Sequence, residues 1–191
     1  MNKVVISDTD IIVHLVKGDV FKHIVPSIID KLYITPKVDE ELRTHSAIYS
    51  QISHLFEVNL FKTKDMWGSI EPAKRIAINE VRKNNRARLD PGELDCLAYA
   101  VGLDIDVIIS DDKGAKEIIN DVTDKKTVVI TFWDLLIIGA MKDKFSWETA
   151  ATYYTQVVDR CDLTLANFKR QNALFEQNTL NHPWVQQYLS T

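Results

Sequence analysis

The sequence has little cysteine and no long hydrophobic segment, and both absences narrow the classes of protein it can belong to. Only two cysteines, Cys96 and Cys161, occur among 191 residues, so neither a disulfide framework nor a cysteine metal site is indicated. No apolar run approaches membrane-spanning length. The opening residues, MNKVVISDTD, lack the apolar core and the cleavage site of a signal peptide. We therefore expect a cytoplasmic protein with no membrane association.

Several patterns of common catalytic sites are also missing. The five histidines show no metal-ligand spacing, and no glycine-rich phosphate loop is present. Ser7 and Ser110 have no evident histidine and aspartate partners. The net charge of −4 argues against a protein coated in positive charge, although it leaves room for a local basic patch. With 46% apolar and 26% charged residues, the chain has the composition of an ordinary globular protein.

Short apolar runs alternate with helical patterns over most of the chain, which is typical of an α/β fold. Beyond Lys144 the strand pattern stops and two or three helices are predicted, one of them with an apolar face made by Leu165, Phe168, Asn172 and Phe175. We therefore expect a mainly parallel sheet flanked by helices over residues 1–144 and a helical extension over 145–191. The predicted strands are VVIS at 4–7, LYI at 32–34, VII at 107–109 and TVVIT at 127–131, with FEVNLF at 56–61 as a weaker edge strand.

The clearest local pattern runs from Leu89 to Gly114. Asp90 fits the N-cap of a helix, with proline at the first helical position and Glu93 three residues after the cap, as a capping box requires. Gly102 suits the end of this helix. Asp95 falls in the second turn among apolar residues, where an unpaired carboxylate is costly. The stretch therefore predicts a capped helix, then a buried strand with an acidic end.

Carboxylates occupy corresponding places at four points of the predicted fold. Magnesium and manganese prefer carboxylate and water oxygens, and converging carboxylates repel one another unless a cation lies among them. Each acid also has an ordinary interpretation, as a helix cap or as a surface charge. We favour an Mg²⁺ or Mn²⁺ site that activates water for phosphodiester hydrolysis. Its candidates are Asp8 with Asp10 as a secondary choice, Glu41 with Glu40 as a secondary choice, Asp95, and Asp112 or Asp111 next to Ser110.

A basic run precedes the central helix. It contains Arg82, Lys83, Arg86 and Arg88, and its placement just before a candidate catalytic helix suits contact with a phosphate backbone. Charge runs are also common on solvated helix faces. The sequence leaves both interpretations open.

The acidic segments resemble the motifs of PIN-domain nucleases, which include the VapC-type toxins of toxin–antitoxin pairs. VVISDTDIIVHL resembles the first motif, with Asp10 where the family has asparagine. ITPKVDEEL is similar to the second motif, in which a glutamate precedes leucine, so the resemblance assigns that acid to Glu41. GELDCLAYA and IISDDKGA map the third and fourth acids to Asp95 and Asp112. The resemblance implies a Rossmann-like PIN fold over about the first 140 residues and a metal-dependent ribonuclease activity. It also implies RNA as substrate, an antitoxin protein as a candidate partner and a candidate homodimer.

Two other functions compete with this one. DTDII matches the opening motif of haloacid-dehalogenase-like phosphatases, with Asp8 as nucleophile and Asp10 as acid or base, although Glu41 and Asp95 would then be unexplained. Alternatively, the domain is a non-catalytic PIN-like interaction module whose helical tail is the functional surface. The filled acidic positions argue against this second alternative.

Overall fold

The computed structural model describes residues 4–53 and 60–190, without the side chain of Lys64. Its centre is a five-stranded sheet in which every strand pairs in parallel, in the order β3-β2-β1-β4-β5. This confirms the predicted α/β architecture. The strands are β1 (Val4–Ser7), β2 (Lys31–Ile34), β3 (Leu60–Lys62), β4 (Val107–Ile109) and β5 (Val128–Ile130).

Helices flank this sheet, and three of them form the extension at the end of the chain. None in the described ranges is long and apolar enough to cross a membrane. A short 3-10 helix, Thr63–Ser69, follows β3. The α-helices are α1 (Thr9–Lys17), α2 (Phe21–Ile28), α3 (Pro36–Thr44), α4 (Ser46–Ile52), α5 (Pro72–Asn85), α6 (Pro91–Leu103), α7 (Lys113–Val122), α8 (Phe132–Met141), α9 (Trp147–Arg160), α10 (Phe168–Asn178) and α11 (Pro183–Ser190).

The helix starts follow the local rules that the sequence obeys. At α6 the Asp90 side chain accepts a hydrogen bond from the Glu93 backbone N–H, and the Glu93 side chain accepts one from the Asp90 N–H, which completes the predicted capping box. The predicted end of α6 at Gly102 is too early, because the helix continues to Leu103. Gly102 lies inside the helix, where a Cβ atom would come within 2.2 Å of an Ile78 side-chain carbon. Gly102 therefore allows α5 and α6 to approach closely, and Asp104 takes the left-handed conformation at the helix end, with φ 56°.

The hydrophobic core extends from the sheet into the C-terminal helices. Strands β4 and β5 are buried along their whole length, as strands covered on both faces should be. Val157 of α9 and Val185 of α11 are fully buried, and the Tyr188 hydroxyl donates a hydrogen bond to the Ile28 carbonyl at 2.9 Å. The extension thus packs against the α/β part and shares its core. The predicted boundary between residues 144 and 145 stays a prediction.

Some details differ from the sequence prediction. β3 is an edge strand as expected, but residues 56–59 of that prediction lie outside the described ranges. Leu165 precedes α10 and is exposed, so it does not belong to the apolar face of that helix. Gln171, rather than Asn172, is buried beside Phe175.

Candidate active site

The candidate site lies at the carboxyl ends of β1 and β4, which are neighbours in the sheet. After β1 the chain continues to β2 on one side of β1, and after β4 it continues to β5 on the opposite side of β4. The strand order therefore reverses between β1 and β4, and ligands of open α/β sheets bind at such a switch point. The Asp8 N–H donates to the Ile109 carbonyl at 3.0 Å. The Ser110 hydroxyl donates to Asp8 Oδ2 at 3.4 Å. Two acidic segments are thereby joined, through residues that are 102 positions apart in sequence.

Asp8 is held at this edge in an environment that disfavours its charge. Its carboxylate accepts a hydrogen bond from the Thr9 N–H at 2.6 Å, which makes it the N-cap of α1. The pKa of Asp8 is raised to about 7, mainly by burial and in smaller part by the charges of Asp10, Asp90 and Glu93, against the lowering effect of the Thr9 hydrogen bond. Asp8 forms no ion pair within the described part of the chain. The cap and the site interpretations of Asp8 are therefore both compatible with its position.

Glu93 is a member of this acidic group that the sequence analysis did not select. The pKa of Glu93 is raised to about 7, mainly by burial and in smaller part by the charges of Asp90, Asp112 and Asp10. Its carboxylate also accepts a hydrogen bond from the Asp90 N–H at 3.3 Å. The capping-box pattern gave Glu93 a sufficient local role. A second role would have been visible only from its proximity to Asp112, which the sequence does not reveal.

Glu41 lies against the first turn of α6. Its Oε1 and Oε2 are 3.2 and 3.1 Å from the position that a Cβ atom on Gly92 would occupy, and Oε2 accepts a hydrogen bond from the Thr9 hydroxyl. Thr9 is the residue next to Asp8, so Glu41 is tied to the same edge of the sheet. Glu40 is exposed and pairs with Lys37 at 2.6 Å. Of the two adjacent glutamates, only Glu41 faces the acidic group.

The neighbouring Asp39 is a buried carboxylate with two cationic partners. It pairs with Arg43 at 3.2 Å and with Lys62 at 3.1 Å. The sequence pattern could not reveal this because Lys62 comes from β3, which pairs with β2 only in the folded sheet.

Asp95 is buried as expected for a functional carboxylate, but it has cationic and polar partners. Its Oδ1 accepts a hydrogen bond from the Arg82 Nε at 2.7 Å, and its Oδ2 accepts a long one from the Lys37 N–H at 3.4 Å. Asp95 thus links α6 to α5 and to the start of α3. These contacts satisfy a buried charge without any metal ion, which gives Asp95 a structural role in addition to the role predicted from the sequence.

The two aspartates after β4 differ in how their oxygens are used. Asp111 is half-buried: Oδ2 lies 3.1 Å from His14 Nδ1, and Oδ1 accepts a hydrogen bond from the Phe132 N–H at 3.2 Å. Burial raises the pKa of Asp111, although these two contacts oppose the shift. Asp112 is exposed and caps α7 with Oδ1, which accepts from the Ala115 N–H at 2.7 Å. Its other oxygen has no hydrogen-bond partner among the described residues, so Asp112 has the freer carboxylate.

The basic run before α6 is partly occupied by ion pairs. Arg82 binds Asp95, and Arg88 binds Asp121 at 2.8 Å. Lys83 and Arg86 are exposed, and neither pairs with a carboxylate of the described ranges. Only these two of the four predicted nucleic-acid contacts are therefore free cations.

The chemistry of the donor group fits a hard divalent cation. In the described part of the chain, no three histidine, cysteine or carboxylate side chains converge as a ready-made binding group. However, Asp8, Glu93 and Asp112 offer only oxygen, and Asp8 and Glu93 have raised pKa values because they are buried near other acids. Mg²⁺ is commonly bound through one or two carboxylates and several water molecules. A cation there would relieve the repulsion among these acids.

Comparison with known proteins gives one match. A family model described as a PIN domain matches residues 4–123, which run from β1 to the end of α7. Neither the curated proteins nor the solved structures contain a match to the chain.

Proposed function

This chain belongs to the PIN-domain nuclease family, and from that membership we propose that it is an endoribonuclease that hydrolyses RNA with Mg²⁺ or Mn²⁺. Nuclease chemistry follows from the family. The identity of the metal, the RNA substrate and the metal-binding and catalytic residues are the proposal. The observation that supports it most is the group of carboxylates near the ends of β1 and β4, where burial and neighbouring acids raise the pKa values of Asp8 and Glu93 and neither residue has an ion-pair partner in the described ranges.

The metal ligands we propose are Asp8 and Asp112, as selected from the sequence, together with Glu93. Glu41 lies in the same group, where the Thr9 hydroxyl orients it. A bound Mg²⁺ or Mn²⁺ would activate water and stabilise the negative charge that develops on the phosphate. The Ser110 hydroxyl, which donates to Asp8, would fix the orientation of that carboxylate.

Asp111 and Asp95 would support the site rather than bind the metal. Asp111 connects α1 and the start of α8 through His14 and Phe132, and Asp95 connects α6 to Arg82. Such contacts position neighbouring ligands, as outer partners do around metal sites. The sequence-based assignment of Asp95 as a ligand is kept as the alternative to Glu93.

No contact in the described ranges bears on the remaining roles that the resemblance implies. The VapC-like toxin role, the antitoxin partner and the homodimer stay predictions. The haloacid-dehalogenase alternative requires a lysine close to the nucleophilic aspartate, yet within the described ranges Asp8 has no ion pair. The interaction-module alternative leaves the raised pKa values of Asp8 and Glu93 without a function.

The test is cleavage of single-stranded and structured RNA with Mn²⁺, Mg²⁺ or a chelator, using wild type, Asp8→Asn, Glu93→Gln and Asp95→Asn. We expect metal-dependent cleavage, with a loss on the order of a hundredfold or more for Asp8→Asn and Glu93→Gln. Asp95→Asn should retain more activity than either when all proteins are compared at a temperature where they are folded. Equal cleavage by wild type and Asp8→Asn, or no cleavage at all, would contradict the proposal.

A phosphomonoester substrate serves as the second arm of this test. Hydrolysis of such a substrate by wild type and not by Asp8→Asn or Asp10→Asn, with RNA left intact, would support the phosphatase alternative instead. Binding of a protein partner through residues 145–191 with neither activity would support the interaction module.

A further inference from the structure

A cleft connects the candidate active site to the C-terminal extension. Its volume is about 450 Å³, which is in the range of small-molecule sites. At one end it is lined by Ser110, Asp111 and Asp112, and on its far wall by residues 164–166 and by α10. The extension therefore forms one wall of a cavity that opens at the acidic group.

A second cleft continues the first. Its volume is about 530 Å³, and four residues line both clefts: Lys113, Lys116, Asn178 and Thr179. The two clefts form one groove between α7 and the end of α10, which we call the α7–α10 groove. The groove begins at Asp112, beside the acidic group, and ends at Lys125 and His182. It therefore extends through both clefts, away from the acidic group.

The cations of this groove differ from Arg82 and Arg88, which are bound to carboxylates. Lys113, Lys116, Lys125 and Arg170 line it, and none of them forms an ion pair with a carboxylate of residues 4–53 or 60–190. His182 is bound within the protein: its Nδ1 accepts from the Trp184 N–H, and its Nε2 lies 3.1 Å from the Lys125 carbonyl. Unpaired cations along a concave surface suit a polyanion with repeated charges.

The acidic residues of the groove do not cancel this charge evenly. Asp134 is buried and uses Oδ2 to accept from the Thr131 N–H at 3.1 Å. Asp111 is bound to His14 and Phe132. Asp112 at the acidic end and Glu117 at the α7 wall are the exposed acids of the groove. Beyond Asp112 the groove is thus lined by four cations and one exposed acid.

The groove also offers groups that recognise bases. Trp133 is half-buried and lines the first cleft, and an indole ring can stack on an unpaired base. The exposed Asn178 provides an amide donor and acceptor on the opposite wall. An unstacked base and its phosphates therefore find complementary groups here, whereas a duplex keeps its bases inside the helix.

We propose that the α7–α10 groove binds single-stranded RNA next to the phosphate to be cleaved, so that the C-terminal extension selects the substrate. This inference rests on the proposed ribonuclease function. It places the RNA path along Lys113, Lys116 and Arg170. Lys83, in the last turn of α5, and Arg86, just after it, lie outside that path.

The experiment measures binding without chemistry. A short fluorescein-labelled single-stranded RNA is titrated by fluorescence anisotropy in the presence of a chelator, at several salt concentrations. The groove variant is Lys116→Ala with Arg170→Ala, and the matched control is Lys83→Ala with Arg86→Ala, which changes the net charge equally. We expect the groove variant to raise Kd on the order of tenfold and to reduce the salt slope by about 1.4, the value for two phosphate contacts on a single strand. The control variant should bind as wild type does.

A third variant tests stacking. Trp133→Leu should raise Kd by about fivefold or more, as expected for the loss of one stacked base, with little change in the salt slope. Circular dichroism and thermal unfolding would show whether each variant is folded. Unchanged binding by the folded groove variant, or equal weakening by the groove and control variants, would overturn the proposal.

Cleavage assays separate failure of the groove from failure of the nuclease proposal. For the groove variant we expect an increased KM with a smaller change in kcat, because its residues bind RNA away from the reacting phosphate. Metal-dependent cleavage by a groove variant with unchanged KM would leave the nuclease proposal intact and contradict the groove. RNA binding that depends on the groove, without any cleavage by wild type, would keep the groove and contradict the nuclease.

Discussion

Two regions of this protein treat their carboxylates in opposite ways. Beside α3 and α5, the buried Asp39 is paired with Arg43 and Lys62, and the buried Asp95 is paired with Arg82. Near the ends of β1 and β4, partial burial and neighbouring acids raise the pKa values of Asp8 and of Glu93 on α6 to about 7. The first region neutralises its charges internally. The second leaves them available to an external cation.

The basic residues show the same contrast. The basic run before α6 is dense in sequence, but its Arg82 and Arg88 are bound to Asp95 and Asp121. The α7–α10 groove collects its cations from three separate segments of the chain. The comparison teaches that the pairing of a charge in the folded protein, rather than its density along the sequence, indicates whether it can meet a ligand.

The largest effect on folding should come from breaking a pair in the first region. Asp95→Asn removes the negative partner of Arg82, whose side chain is 29% exposed while that of Asp95 is 9% exposed. We expect the free energy of unfolding to fall by about 2 to 3 kcal/mol, somewhat less than for a fully buried pair because Arg82 reaches solvent. Chemical denaturation measures this. Addition of Arg82→Met should recover part of the loss.

A different result would change the assignment of Asp95. If Asp95→Asn unfolds at the same denaturant concentration as wild type but loses metal-dependent cleavage as completely as Asp8→Asn, Asp95 belongs to the second region and acts as the ligand that the sequence indicated.

Asp134 is a buried carboxylate with no ion pair in the described ranges, and the pH dependence of the free energy of unfolding tests the effect of its burial. Burial raises the pKa of Asp134 from 3.8 to about 6. The folded state therefore binds the proton more tightly than the unfolded state, so this contribution to stability is present below pH 4 and is lost as the pH rises to about 6. At 1.36 kcal/mol per pH unit, the loss is about 2 to 3 kcal/mol.

The measurement is the free energy of unfolding between pH 4 and 7 for wild type and Asp134→Asn, with a chelator present. The asparagine can still accept from the Thr131 N–H, and it does not titrate. The variant should show a flatter profile than wild type over this range. Parallel profiles for the two proteins would contradict the raised pKa.

A metal ion should stabilise the second region. Ligands that bind only the folded state raise its stability in proportion to RT ln(1 + [L]/Kd), which is about 1.4 kcal/mol when the metal concentration is ten times Kd. We expect Mn²⁺ to raise the Tm of wild type and to have a much smaller effect on Asp8→Asn. Differential scanning fluorimetry measures this, with Asp39→Asn as a control that keeps the metal response. An equal Tm increase in wild type and Asp8→Asn would place the metal elsewhere.

The smallest effect concerns the adjacent glutamates. Glu40 is exposed and its pair with Lys37 is solvated, so Glu40→Gln should leave stability and cleavage unchanged within error. Glu41→Gln removes a charge from the acidic group and should lower cleavage measurably. The ratio of the two cleavage rates is the readout, and a larger loss for Glu40→Gln would exchange their roles.

Local sequence patterns were sufficient for most of the fold. The capping boxes at Asp90 and Thr131, the proline that starts α3, and the apolar runs of β1 and β4 all act over a few residues. The predicted parallel sheet followed from their alternation. The exceptions are instructive: Gly102 was interpreted as a helix stop because its close contact with Ile78 belongs to a different helix.

The candidate site was less accessible from the sequence. The positions after the strands were identifiable because parallel strands bring their ends to one edge. Glu93 was hidden by its own capping role. The partner of Asp95 was hidden because Arg82 lies on α5, although both residues had been noted separately.

The sequence by itself determined that this chain forms a parallel α/β sheet with acidic residues at the strand ends, since strand periodicity, helix caps and residue types are local properties. Only the tertiary structure decided which charges meet, because ion pairs and burial join residues far apart in the chain. It placed Arg82 on Asp95, left Asp8 and Glu93 among other acids, and put α10 opposite α7, where the extension forms one wall of the α7–α10 groove.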